Sequence, residues 1–234
     1  MQSRIQSLGK CIEVGFALHD GRENVRNILT MKCLPSGQHL VQHATECKDI
    51  AALVCGTAWA QTQSTTPTTD SGTKLAFPAS LGGATFERSV NYAGPPSNRP
   101  DLGSSYFYST TKKMIITVQV FDGGRRVPAG SASPIVVSEF TSELESVGQQ
   151  IQGSGYTHFE RPSVPSSCTY GSTTFRCITY SALNQSNMRL YSKLLLTGYQ
   201  NHFIKIRIDW SQGHQQTSAD AEAALQAFIP ALLR

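Results

Sequence analysis

Long apolar runs are absent from this chain of 234 residues. No stretch approaches the ~18 uninterrupted apolar residues of a membrane-spanning helix, which argues against an integral membrane protein. Charge is scarce at 15% of residues, and 20 basic residues against 16 acidic ones leave a net +4. The basic residues form no stripe, so a dedicated nucleic-acid binder is excluded. Phosphate loops of the G-x-G-x-x-G and G-x-x-x-x-G-K-S/T kinds are missing, as is any internal repeat, which disfavours a doubly wound nucleotide-binding sheet. There is no G-x-S-x-G nucleophile elbow, no histidine beyond residue 60 has a metal-ligand spacing such as H-x-x-x-H, and no cofactor is implied. What remains is 39% hydrophobic, too much for a disordered chain.

Residues 1–60 read differently from the rest. They hold four of the six cysteines, Cys11, Cys33, Cys47 and Cys55, with no sustained amphipathic period. The apolar run from Ile50 to Thr57 ends in Ala58-Trp59-Ala60. A short apolar run before A-x-A is the pattern of a secretory signal peptide, because signal peptidase accepts only small side chains at those two positions. A start at Met31, followed by Lys32, gives a leader of ordinary length. The competing reading of residues 50–60 is a small buried helix. The sequence thus predicts a leader over residues 1–60 and a secreted or periplasmic protein.

Without that leader only Cys168 and Cys177 are left, an even count. Tyr170-Gly171-Ser172 between them is turn chemistry and residues 173–179 are strand chemistry, so a hairpin brings the two cysteines together. Antiparallel neighbours lie ~4.5 to 5.5 Å apart at the Cα, within the range a disulfide tolerates. The alternative is a pair of reduced, buried thiols in a cytosolic strand. Residues 61–76 are mostly small and polar and are expected to form a flexible Ser/Thr-rich tether.

From residue 77 the pattern is that of one folded domain, 77–234. Residues 85–92, 105–108 and 114–121 read as strands, broken by Pro-Gly-Asn clusters. A helix follows over 133–153: Ser133 can cap it, Pro134 suits its first position, Gly153 lies just beyond its far end, and Val136, Val137, Phe140, Leu144, Val147 and Ile151 recur at helical spacing. Glu139, Glu143 and Glu145 read as its solvated face. Four more strands cover 158–163, 173–183, 189–198 and 202–210. In the last, Phe203, Lys205, Arg207 and Asp209 alternate with Ile204, Ile206 and Ile208, as in a half-buried antiparallel strand. A closing helix runs from about 218 to 233, with Pro230 expected to kink or fray its last turn. This order predicts an α+β layered sandwich, a mainly antiparallel sheet of about six or seven strands flanked by two helices.

The segments Phe77-Pro78-Ala79-Ser80-Leu81-Gly82-Gly83, Ser133-Pro134 and Leu196-Thr197-Gly198-Tyr199-Gln200-Asn201-His202-Phe203 resemble those of secreted bacterial proteins of uncharacterised function. The resemblance covers residues 77–234 and implies no active site. The order of elements is also similar, more distantly and in topology alone, to that of the PsbP-like family of α/β/α sandwiches.

Two groups of residues qualify as ligand contacts. Asp122-Gly123-Gly124-Arg125-Arg126 could offer backbone N–H groups and guanidinium forks to an anion, though a plain turn with a solvated charge pair has the same sequence. Tyr106-Phe107-Tyr108, with Tyr92 and Arg99, could line an aromatic groove for a sugar or peptide, where the plain alternative is core packing. His158, His202 and His214 are the domain's only histidines and have no metal-ligand spacing. The expectation is a non-catalytic binding or accessory module for a protein or small-molecule ligand. The alternative is a small hydrolase whose base, His158 or His202, meets its partners only in three dimensions.

Overall fold

A computed structural model describes residues 63–153 and 156–234, all within the compact unit Thr57–Arg234. The expected leader, with its A-x-A site and four cysteines, lies outside the described residues. Twelve strands occur in chain order: β1 (Gln63–Ser64), β2 (Thr68–Thr69), β3 (Ala76–Phe77), β4 (Ser80–Leu81), β5 (Ala84–Asn91), β6 (Ser104–Thr110), β7 (Ile115–Phe121), β8 (Thr157–Glu160), β9 (Ser166–Tyr170), β10 (Thr173–Leu183), β11 (Arg189–Tyr199) and β12 (His202–Ser211). Among the described residues two α-helices, α1 (Pro134–Gly153) and α2 (Ser218–Leu232), accompany the strands in an α+β arrangement.

The helices form where capping and apolar spacing agree. In α1 the Ser133 hydroxyl accepts from the Val136 N–H at 3.3 Å, and Val136, Phe140, Leu144, Val147 and Ile151 are buried. Thr217 caps α2 through a reciprocal box with Asp220, which satisfies two otherwise orphaned N–H groups. Pro230 does not break α2, which continues to Leu232 and closes with the Leu233 N–H on the Ile229 carbonyl. Two residues from the end, Pro230 removes only one hydrogen bond. Among the described residues no helix is long and apolar enough to cross a membrane.

The main sheet has ten strands in the order β1-β5-β6-β7-β12-β11-β10-β8, with β4 on β5 and β9 on β10, while β2 and β3 pair separately. The central neighbours, β6–β7, β7–β12, β12–β11 and β11–β10, are all antiparallel. All seven expected strands are present, and β1, β4 and β9 bring the sheet to ten. The first two span two residues each, too few to show a period.

Helices cover both faces of the sheet, and β12 keeps the alternation its sequence implied, with Lys205, Arg207 and Asp209 partly exposed and Phe203 as the departure, buried on that side. Ile204, Ile206 and Ile208 are buried with Leu225 and Phe228 of α2. On the other side Phe203 is buried with Phe140 and Leu144 of α1. Glu139 and Glu143 likewise turn from water toward the sheet, pairing with Arg125 and Lys205.

Residues 64–76 are ordered into the fold and do not form the expected tether. β1 pairs with β5, and β2 with β3. The Asp70 carboxylate is 6% exposed and accepts from the Gly72 and Thr73 N–H groups, the Thr73 hydroxyl and the Tyr106 hydroxyl. Composition missed this because polar side chains hold the segment by hydrogen bonds, with Leu75 as its buried apolar anchor.

Candidate functional site

α1 packs over β8, β10 and β11. Beside it, on the same face, Arg88, Phe107, Thr117 and Arg207 stand opposite one another across β5, β6, β7 and β12 and stay partly exposed. With neighbouring strands ~4.8 Å apart, this row spans roughly 14 Å.

A β-bulge sets the row's composition. The β5–β6 register shifts between Phe86 and Arg88, so Phe86 opposes Tyr108 while Arg88 opposes Phe107. In a regular ladder Glu87 would face Phe107, and Arg88 would join the face that buries Tyr106 and Tyr108. The extra residue re-aims the guanidinium outward, as bulges do beside functional surfaces. Its carbon then lies 4.1 Å from the centre of the Phe107 ring, a cation–π contact. No described carboxylate pairs with Arg88.

Next to this row lies a hydrogen-bonded cluster. Arg207 Nε donates to Asp209 Oδ2 at 3.0 Å, and the Ser192 hydroxyl donates to Asp209 Oδ1. Asp209 draws Arg207 further toward its charged form. Tyr180 sits against Arg207 and Ser192, and burial raises its pKa. Burial also raises that of Tyr156, reinforced by the Asp209 charge. The serine therefore bonds to a carboxylate that an arginine already neutralises, and no histidine is part of the cluster.

The residues singled out in the sequence do not converge. Tyr106 and Tyr108 are 3% and 0% exposed, with their hydroxyls on Asp70 and on the Pro78 carbonyl, so they are core and not groove. Strand alternation sends Phe107, between them, to the opposite face. Tyr92 reaches that face, donating to the Ser105 hydroxyl at 3.3 Å. The Gly123-Gly124 turn offers no free backbone donors: Gly123 N–H binds the Asp101 carbonyl, Gly124 N–H the Asp122 side chain and Arg125 N–H the Asp122 carbonyl. Its arginines are engaged too, Arg125 with Glu139 and Arg126 with Asn201, while Arg99 pairs with Asp101. His202 Nδ1 lies 2.8 Å from the Gln200 carbonyl, and His158 and His214 are exposed. Among the described residues no group of three or more His, Cys, Asp and Glu could hold a metal ion.

Cys168 and Cys177 stand at disulfide distance, with Cα atoms 6.1 Å apart. They are diagonal and not directly opposed: Cys168 faces Phe175 and Cys177 faces Ser166. The two-residue turn fixes this register by pairing Tyr170 with Thr173.

Arg88 does not stand out in the sequence as a site residue. A charge at the centre of an apolar-aromatic strand was the available signal, since a regular strand would have buried it.

No protein-family model matches the chain, and no curated protein matches it. Among solved structures, the solution structure of cyanobacterial PsbP (CyanoP) from Synechocystis sp. PCC 6803 is similar at a TM-score of 0.41 and 12% identity, covering 74% of this chain and 95% of that chain.

Proposed function

We propose that this is a secreted or periplasmic, non-catalytic binding module whose ligand meets the sheet face beside α1. The observation that carries the reading is Arg88, turned outward by a bulge onto the partly exposed Phe107 ring, with no carboxylate among the described residues to neutralise it. A cation and an aromatic ring held on a rigid sheet form a pre-organised contact surface. The Ser192–Asp209–Arg207 cluster supports the non-catalytic part, because the carboxylate that accepts the Ser192 proton is held by the Arg207 guanidinium, which weakens it as a base. The cysteine pair at disulfide distance supports an oxidising compartment.

A covalent probe separates this reading from a hydrolase. The chain is incubated with a fluorophosphonate, which labels activated serines, and analysed by intact mass. The expected result is no adduct. An adduct on Ser192 that disappears when His158 or His202 is replaced would establish the hydrolase reading instead.

A further inference from the structure

Resting on the binding-module reading, we propose that the face beside α1 takes an anionic polysaccharide, seating a sugar ring on Phe107 and an acidic substituent on Arg88. The charge complementarity is local. Arg88 lacks a described carboxylate partner, and its guanidinium carbon lies 4.1 Å from the ring centre, a position from which the fork can take a carboxylate or sulfate seated beside the ring. The other charges of the face are matched internally: Arg207 with Asp209, Lys205 with Glu143, while Glu87 accepts from the Ser109 hydroxyl. One anionic group, beside Phe107, is thus what the face lacks.

The remaining contacts suit sugar better than peptide. Phe107, Thr117 and Arg207 each have a paired strand on both sides, where the backbone N–H and C=O groups are already paired, so a peptide cannot add itself as a strand over them. Beside the ring the partly exposed Thr117 presents a hydroxyl to sugar hydroxyls, and Tyr92 adds a second partly exposed aromatic at the Ser105 end. The row crosses four strands in a line, the shape for an extended chain of rings.

The test measures binding of the full chain to oligogalacturonate, which carries one carboxylate per ring, with neutral maltooligosaccharide and polyglutamate as comparators. Oligogalacturonate should bind with an affinity that falls with added salt, and maltooligosaccharide should not bind measurably. Arg88→Gln and Phe107→Ala should each weaken the binding about tenfold, the scale of one charge-assisted or stacking contact. Both residues are partly exposed, and an unchanged melting temperature certifies that the variants fold. Equal affinity for maltooligosaccharide, or tighter binding of polyglutamate lost in the same variants, overturns the ligand class and leaves the binding face standing. No binding of any probe, or binding that neither variant weakens, overturns the site. The fluorophosphonate adduct on Ser192 separately sinks the module reading.

Discussion

The Tyr106 hydroxyl donates to the Asp70 carboxylate at 2.9 Å, joining two residues 36 positions apart. Through this bond the polar segment before β3 is fastened to the middle of the sheet. Asp70→Ala removes the acceptor for four donors at once. The expected cost is about 2 to 4 kcal/mol, since several buried donors lose their partner together. Limited proteolysis should then cut between residues 65 and 76, a stretch that resists in the parent. Tyr106→Phe, which loses a single bond, should cost about 1 kcal/mol and leave the segment protected.

Buried tyrosines set the behaviour in alkali. Burial raises the pKa of Tyr106, Tyr108, Tyr170 and Tyr180, and for Tyr106 the neighbouring Asp70 charge adds to the effect. A group whose pKa is higher in the folded state holds its proton there after the unfolded chain has lost it. Its contribution to stability is complete below the unfolded value, near pH 10, and declines as pH rises toward the folded one. Melting temperature should therefore fall steadily above about pH 10. Tyr108→Phe should flatten that fall, because it removes one such group. A slope that persists unchanged in this variant would assign the effect elsewhere.

These results show where the sequence was legible. The helices could be read because Ser133, Pro134 and the apolar spacing of α1 are local signals, and the alternation of residues 203–209 located β12. The bulge was not legible, since it is defined only by the register of β5 against β6. Nor was the order of residues 64–76, whose partner Tyr106 lies far along the chain. The aromatic-groove expectation failed for a simple reason: three consecutive aromatics in a strand cannot share a face, so Tyr106 and Tyr108 went to the core and Phe107 to the surface.

Two glycines in the motif segments have a packing role. A Cβ on Gly198 would lie 1.9 Å from the Pro128 carbonyl oxygen, and one on Gly82, at φ +56°, would lie 2.5 Å from the Phe228 Cα. Both neighbours are backbone atoms and cannot rotate away. Gly198→Ala and Gly82→Ala should each destabilise by about 1 to 3 kcal/mol, read from urea midpoints at constant m-value. Gly83→Ala separates packing from conformation: its φ is +80° but its Cβ would meet nothing within 4 Å, so only backbone strain should appear.

The bridge across the β9–β10 hairpin predicts a redox-dependent stability. Intact mass of the non-reduced protein should be lighter than the reduced form by two hydrogens. Cys168→Ser with Cys177→Ser should cost roughly 2 to 4 kcal/mol, in keeping with the ten-residue loop that the bond closes. Protein with both thiols alkylated distinguishes loss of the crosslink from the cost of the substitutions. Free thiols in protein recovered from an oxidising compartment would remove the cysteine argument for export.

The last prediction concerns Asp209, which holds Arg207 on one oxygen and Ser192 on the other. With side chains 24% and 15% exposed, Arg207 and Asp209 sit at the border of the α1-side core, where an unpaired charge is more costly than at the surface. Asp209→Ala leaves the guanidinium without its carboxylate and should cost about 2 to 3 kcal/mol, whereas Ser192→Ala, which removes one hydroxyl, should cost about 1 kcal/mol. Replacing Arg207 and Asp209 together by Met and Leu should recover much of the loss, since a matched apolar pair has no charge left to desolvate. A double-mutant cycle on denaturant midpoints measures the coupling. Near-zero coupling would mean that water already screens the pair, and the cluster would then be part of the exposed ligand face and not its structural border.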